Sequence, residues 1–134
     1  MTCFVDTSAL LAVMDKDDEF HQEAKALWER LTEQQAALVA TNYVVLETVA
    51  LLQHRIGMPA VRRFHADIMP VLTIDWISSA QHMQAMAALL AADRRNLSLV
   101  DCISFDAMRR RSLRHVFAFD KHFEEQGFTT ELST

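Results

Sequence analysis

The stretch Thr2-Cys3-Phe4-Val5-Asp6-Thr7-Ser8-Ala9-Leu10-Leu11-Ala12-Val13-Met14 opens the chain and decides its fold. Its first part, TCFV, is short, apolar and suited to a pleated surface, so it predicts a strand ending at Asp6. From Ser8 onward, SALLAVM predicts a short helix. A strand that passes through a single acid into a helix is the first half of a βαβ unit.

The same alternation continues along the chain. Asp15 to Glu19 reads as a solvated acidic connection. Phe20, Ala24, Leu27, Trp28 and Leu31 then recur at spacings of three and four, which predicts an amphipathic helix from Phe20 to Leu31. Ala37 to Ala40 predicts a second strand. Thr41 and Asn42 are suited to cap a helix from Tyr43 to Arg55, which Gly57 ends. Pro59 fits the first turn of a helix from Pro59 to Ile68, and Val71 to Ile74 predicts a third strand. Ser78 to Ala92 is rich in Ala and Met and has no breaker, so it predicts a long helix. Ser98 opens a helix reaching Arg111. Val116 to Phe119 predicts a fourth strand, Lys121 to Gln126 a short helix, and Phe128 to Leu132 a last edge strand.

Short apolar strands alternating with amphipathic helices imply an α/β fold, a three-layer α/β/α sandwich with a mainly parallel central sheet. With 134 residues, the sequence reads as a single domain, 1–134, able to build a core without disulfides or structural metal. Only 2 Gly and 2 Pro leave little scope for the turns of an all-β architecture. Cys3 and Cys102 fall inside predicted elements and lack zinc-ligand spacing, which favours buried reduced thiols. The N-terminus has no signal-like segment, and no apolar stretch reaches the ~20 residues of a membrane span. These readings place the protein in the cytoplasm, with no membrane association. A net charge of -5 argues against a broad basic surface, so any nucleic acid must be held by a local basic patch and by metal.

Four acids sit inside or at the end of apolar runs: Asp6, Glu47, Asp101 and Asp120. Burying one carboxylate is costly, and clustering several is worse, unless a cation neutralises them. Brought together, they read as a divalent-metal site for phosphodiester chemistry. Three have a capping alternative. Asp6 and Asp120 each follow a strand and precede a helix, and Asp101 can form a capping box with Ser98. Glu47 lies in Tyr43-Val44-Val45-Leu46-Glu47-Thr48-Val49-Ala50-Leu51-Leu52, a helical segment that offers little outer face. It is therefore expected to be buried beside a cation or a basic neighbour. Asp106 is assigned to surface ion pairs with Arg109 and Arg110, and Asp15, Asp17 and Asp18 to a solvated loop. The six histidines show no metal-ligand spacing. Met83 and Met86 belong to the core or to a dimer face. Arg109, Arg110, Arg111 and Arg114 complement a helix C-terminus, while Lys121 and His122, beside Asp120, are better candidates for phosphate contact.

Four segments together resemble the PIN-domain ribonucleases, most closely the compact VapC-type toxins of toxin–antitoxin modules. They are Val5-Asp6-Thr7-Ser8-Ala9-Leu10, Thr41 to Glu47, Leu97-Ser98-Leu99-Val100-Asp101-Cys102-Ile103-Ser104, and Phe119-Asp120-Lys121-His122-Phe123. The resemblance covers essentially the whole chain. It implies that Asp6, Glu47, Asp101 and Asp120 meet at one end of the sheet as ligands of Mg2+ or Mn2+ and as the catalytic set. Asp6 and Asp101 would be the main anchors, and Glu47 a ligand or a base that positions water. Thr7 and Ser104 match hydroxyl positions flanking that site. It further implies an RNA substrate, a homodimer and a cognate antitoxin lying along the groove. Two other readings compete. An aspartyl-phosphate phosphatase would need a second Asp at position 8, where Ser8 stands. A PIN-like module that binds RNA or a protein without cleaving has no need of four clustered carboxylates.

Overall fold

A computed structural model describes residues 1–130. Its elements are β1 (Thr2–Val5), α1 (Thr7–Met14), α2 (His21–Glu33), β2 (Ala37–Thr41), α3 (Asn42–Arg55), α4 (Met58–Arg63), β3 (Leu72–Asp75), α5 (Ser79–Ala92), α6 (Leu99–Arg110), β4 (His115–Phe117), α7 (His122–Glu125) and β5 (Thr129–Thr130). The strands form one sheet in the order β3-β2-β1-β4-β5, and every pairing is parallel. Phe4 sits opposite Val39 on one side and Val116 on the other, which fixes β1 as the central strand.

This order follows from the sequence of crossovers. The chain moves outward from β1 to β2 and β3, then returns to place β4 and β5 on the other side. The strand order therefore reverses at β1, where open α/β sheets form a crevice beyond the strand ends. Phe4, Val5, Leu10, Val44, Leu52, Phe64, Ile103, Met108, Phe117 and Phe123 are fully buried and pack the sheet against its helices.

Local differences from the sequence reading have identifiable causes. The helix expected over Pro59 to Ile68 is α-helical only to Arg63, then becomes a π turn over Phe64–Ile68 and a 3-10 turn over Met69–Val71. Pro70 cannot donate a backbone hydrogen bond, and the wider turn keeps both Phe64 and Ile68 in the core. As Val71 belongs to that turn, β3 starts at Leu72. Strand β4 stops at Phe117 because the next residues leave the ladder: the Phe119 amide donates to the Ser8 hydroxyl instead. At the C-terminal edge, Gly127 takes a positive φ of 90°, and the Phe128 amide closes α7 by donating to the Phe123 carbonyl. Of the strand expected over Phe128 to Leu132, Thr129–Thr130 is present, while Glu131 and Leu132 lie outside the described residues. Both cysteines are buried. Among the described residues, no helix is long and apolar enough to cross a membrane.

Candidate functional site

Asp6 leaves β1 in extended backbone geometry and caps α1. Its Oδ2 accepts from the Ser8 amide at 3.2 Å and the Ser8 hydroxyl at 2.7 Å. The same hydroxyl accepts from the Phe119 amide at 3.0 Å, and the Asp6 amide donates to the Phe117 carbonyl at 3.0 Å. Ser8 thus ties the end of β1 to the chain leaving β4, a role the sequence reading did not assign to it. Asp6 is only 4% exposed. Burial pushes its carboxyl up to about 7; the bonds from Ser8 oppose this, and the charges of Asp101 and Asp120 add to it.

Asp101 sits at the third position of α6. Its Oδ2 accepts from the Ser98 amide at 3.1 Å, while the Ser98 hydroxyl accepts from the Asp101 amide at 3.0 Å. The capping box is real, and it leaves Asp101 buried with its head in the crevice. Asp120 lies on the turn between β4 and α7, where its Oδ1 accepts from the His122 amide at 2.9 Å. Phe119, the preceding residue, stacks on Phe20 with ring centroids 4.5 Å apart, which holds this turn against the start of α2.

Asp6, Glu47, Asp101 and Asp120 line one open cleft of about 320 Å³ beyond the carboxyl end of β1, together with Thr7, Ser8, Asn96 and Ser98. The four acids are brought together, but Glu47 does not sit as its sequence suggests. It is half-buried on a helix that does have an outer face: Leu46 is 70% exposed and Ala50 is exposed. Apolar composition overstated the burial of α3, and Glu47 needs no cation for its own sake. Thr7 is buried and donates to the Val44 carbonyl at 3.5 Å, tying α1 to α3 at the cleft wall. Ser104 is fully buried one turn beyond Asp101, behind the cleft, and its hydroxyl has no hydrogen-bond partner among the described residues.

His122 is the member that spacing alone did not find. Its Nδ1 lies 3.2 Å from Asp101 Oδ2 and 3.2 Å from Asp120 Oδ1. Asp101, Asp120 and His122 form a group whose ligand atoms all lie within 4.8 Å of one another, compact enough for a metal ion. The signal was the His two residues after Asp120, which made it a candidate for phosphate contact; its ring nitrogen meets the two carboxylates instead. The arginines ending α6 have structural work instead. Arg110 pairs with Asp106 at 2.9 Å and Asp75 at 3.3 Å, and Arg111 with Asp75 at 3.1 Å. Arg109 does not reach Asp106 but covers the rings of Phe105 and Phe128 and donates to Gln126.

A parallel sheet with an acid-lined cleft at its strand-order reversal defines a nuclease-like α/β domain, and the comparisons agree with that class. Residues 3–128 match the model of the PIN domain. The 23S rRNA-specific endonuclease VapC20 of Mycobacterium tuberculosis is 32% identical over 126 residues, which cover 93% of this chain and 94% of that protein. Its crystal structure, described as that of a Sarcin-Ricin loop cleaving toxin, superposes with a TM-score of 0.84 over 96% of this chain and 97% of that one. FitAcB from Neisseria gonorrhoeae shares the fold at a TM-score of 0.67 over 97% and 96% of the two chains, with 14% identity. The chain belongs to the PIN-domain family, among the VapC-type endoribonuclease toxins.

Proposed function

We propose that Asp6, Glu47, Asp101 and Asp120 hold a divalent ion, Mg2+ or Mn2+, and that the site hydrolyses phosphodiester bonds of ribosomal RNA. The observation that carries this reading is Asp6: a carboxylate 4% exposed, faced by other acids and bonded to nothing more positive than an amide and a hydroxyl. A protein tolerates such a group at a strand end when a cation completes it. The donor set fits, since carboxylate oxygens suit hard cations that retain several waters.

A divalent ion bound there supplies positive charge that offsets the phosphate and polarises it toward attack. The chain's own residues do the rest. Ser8 fixes the Asp6 carboxylate, and the Ser98 capping box fixes that of Asp101. Glu47, half-buried on the cleft wall, keeps solvent contact and accepts the proton of the attacking water. Uncompensated, these carboxylates repel a phosphate, so charge neutralisation precedes productive RNA binding. Lys121, exposed beside Asp120, is placed to meet the RNA backbone.

The choice of ribosomal RNA rests on the end-to-end likeness to VapC20. A cognate antitoxin lying along the acidic cleft belongs to the same reading. So does a homodimer, because α5 buries only Ala85 and exposes Met83 and Leu90, with Trp76 exposed on the loop before it and Leu46 exposed on α3. The test is cleavage of ribosomal RNA by the purified protein in Mg2+ or Mn2+, against chelator and against Asp6→Asn and Asp101→Asn. Loss of cleavage in all three arms is expected. Full cleavage with chelator, or by both variants, would remove the metal site from the reaction.

A further inference from the structure

The three aspartates of the cleft share a pattern: one oxygen of each is tied down, and the other is left over. Both bonds to Asp6 fall on Oδ2. On Asp101, the Ser98 amide and His122 Nδ1 both fall on Oδ2. On Asp120, the His122 amide falls on Oδ1, and Nδ1 approaches that same oxygen. Among the described residues, the second oxygen of each aspartate takes no hydrogen bond. A metal ligand is oriented in this way, with one oxygen held by the protein and its mate presented to the ion.

Ser8 and Ser98 provide that hold for one acid each, from the same helix. His122 reaches across elements, from α7 to the start of α6, and touches two acids at once. With Asp101 ionised, the contact requires the proton on Nδ1, since the carboxylate only accepts. We propose that His122 is a positioning residue that clamps Asp101 and Asp120 from outside the coordination shell, so that the free oxygen of each faces the ion. This inference rests on the metal-site reading above and adds a residue to it.

The competing role, His122 as a direct nitrogen ligand, fits the bonding less well. Nδ1 meets the two oxygens already satisfied by backbone amides, and an ion placed among these three atoms would compete with those amides. Mg2+ also prefers oxygen to imidazole nitrogen. Clamping uses every contact as it stands. The side chain is 13% exposed, so the ring is held in place without being sealed from the cleft.

Mn2+ binding by calorimetry and pulsed EPR of the Mn2+-loaded protein test the proposal on the full chain. His122→Ala and His122→Phe remove the donor, and the second keeps ring volume; each is expected to weaken Mn2+ binding about tenfold or more with the fold intact by circular dichroism. His122→Asn places an amide N–H near the position of Nδ1 and is expected to recover most of that loss. In the wild-type protein, EPR is expected to show no coupling from a directly bound 14N nucleus. Unchanged affinity in the Ala and Phe variants overturns the clamp, and so does a direct 14N coupling, which would make His122 a ligand. Should both variants fail to fold, the wild-type EPR still decides. If the wild-type protein takes up no Mn2+, the metal-site reading falls and the clamp with it; normal wild-type uptake unaffected by His122 substitution sinks the clamp alone.

Discussion

Asp6 and Asp75 occupy the same kind of place and lead different lives. Each lies at the carboxyl end of a parallel strand, and they are 4% and 8% exposed. Asp75 ends the edge strand β3, and its Oδ2 receives Arg111 at 3.1 Å and Arg110 at 3.3 Å. Asp6 follows the central strand β1, where the nearest donors belong to Ser8 and the nearest charges are two more aspartates. Burial alone therefore does not mark a functional acid. What separates the two is whether the protein supplies its own cation. Where it does, the carboxylate holds structure together; where it withholds one beside the strand-order reversal, the carboxylate is the one we propose to receive an ion from solution.

The largest effect that could break this contrast is on catalysis. Asp6→Asn is expected to lower RNA cleavage by about a thousandfold or more, in line with losing a group that acts at the reacting centre. Asp75→Asn should stay within a few-fold of the wild-type protein in the same assay. Stability should run the other way. Asp75→Ala leaves Arg111 without its partner and Arg110 with Asp106 alone, and is expected to cost about 2 kcal/mol in urea denaturation.

The pH dependence sharpens the contrast further. The folded Asp6 carboxyl titrates at about 7, above its ordinary 3.8, so between those values the folded state holds a proton that the unfolded state releases. Stability of the metal-free protein from this group is greatest on the acid side and is lost as pH rises through about 7. An ion must displace that proton below this pH. Apparent Mn2+ affinity is therefore expected to fall about tenfold per pH unit below 7 and to level off above it, read by calorimetric titration from pH 5.5 to 8.5. The smallest effect is on the metal-free fold itself: Asp6→Asn is expected to stabilise it by about 1 kcal/mol at pH 8, and by nothing measurable at pH 4.

Much of this was legible in the chain. The strand-to-helix passages at Asp6 and Thr41 announced themselves by local chemistry, as did the capping box at Ser98, and parallel strands needing helical crossovers left few alternatives for the sheet. The capping and the functional readings of Asp6 and Asp101 turned out to be compatible, because capping uses one oxygen and leaves the other. What failed did so where the decisive partner is remote in sequence. Asp75 ends its strand much as Asp6 does, yet Arg110 and Arg111 lie 35 and 36 residues further on. His122 meets Asp101 across 21 residues, which no local spacing encodes. Glu47 misled for another reason: apolar composition was read as burial, whereas Leu46 faces solvent at 70% exposure.

Calorimetric titration of Mn2+ at pH 8 into the wild-type protein, Asp6→Asn and Asp75→Asn, side by side, tests the central claim most directly. Saturable binding is expected for the wild-type protein and for Asp75→Asn, with a loss of about tenfold or more in Asp6→Asn. Equal binding by all three proteins would contradict the claim that the unneutralised carboxylate at the end of β1 is there to receive an ion.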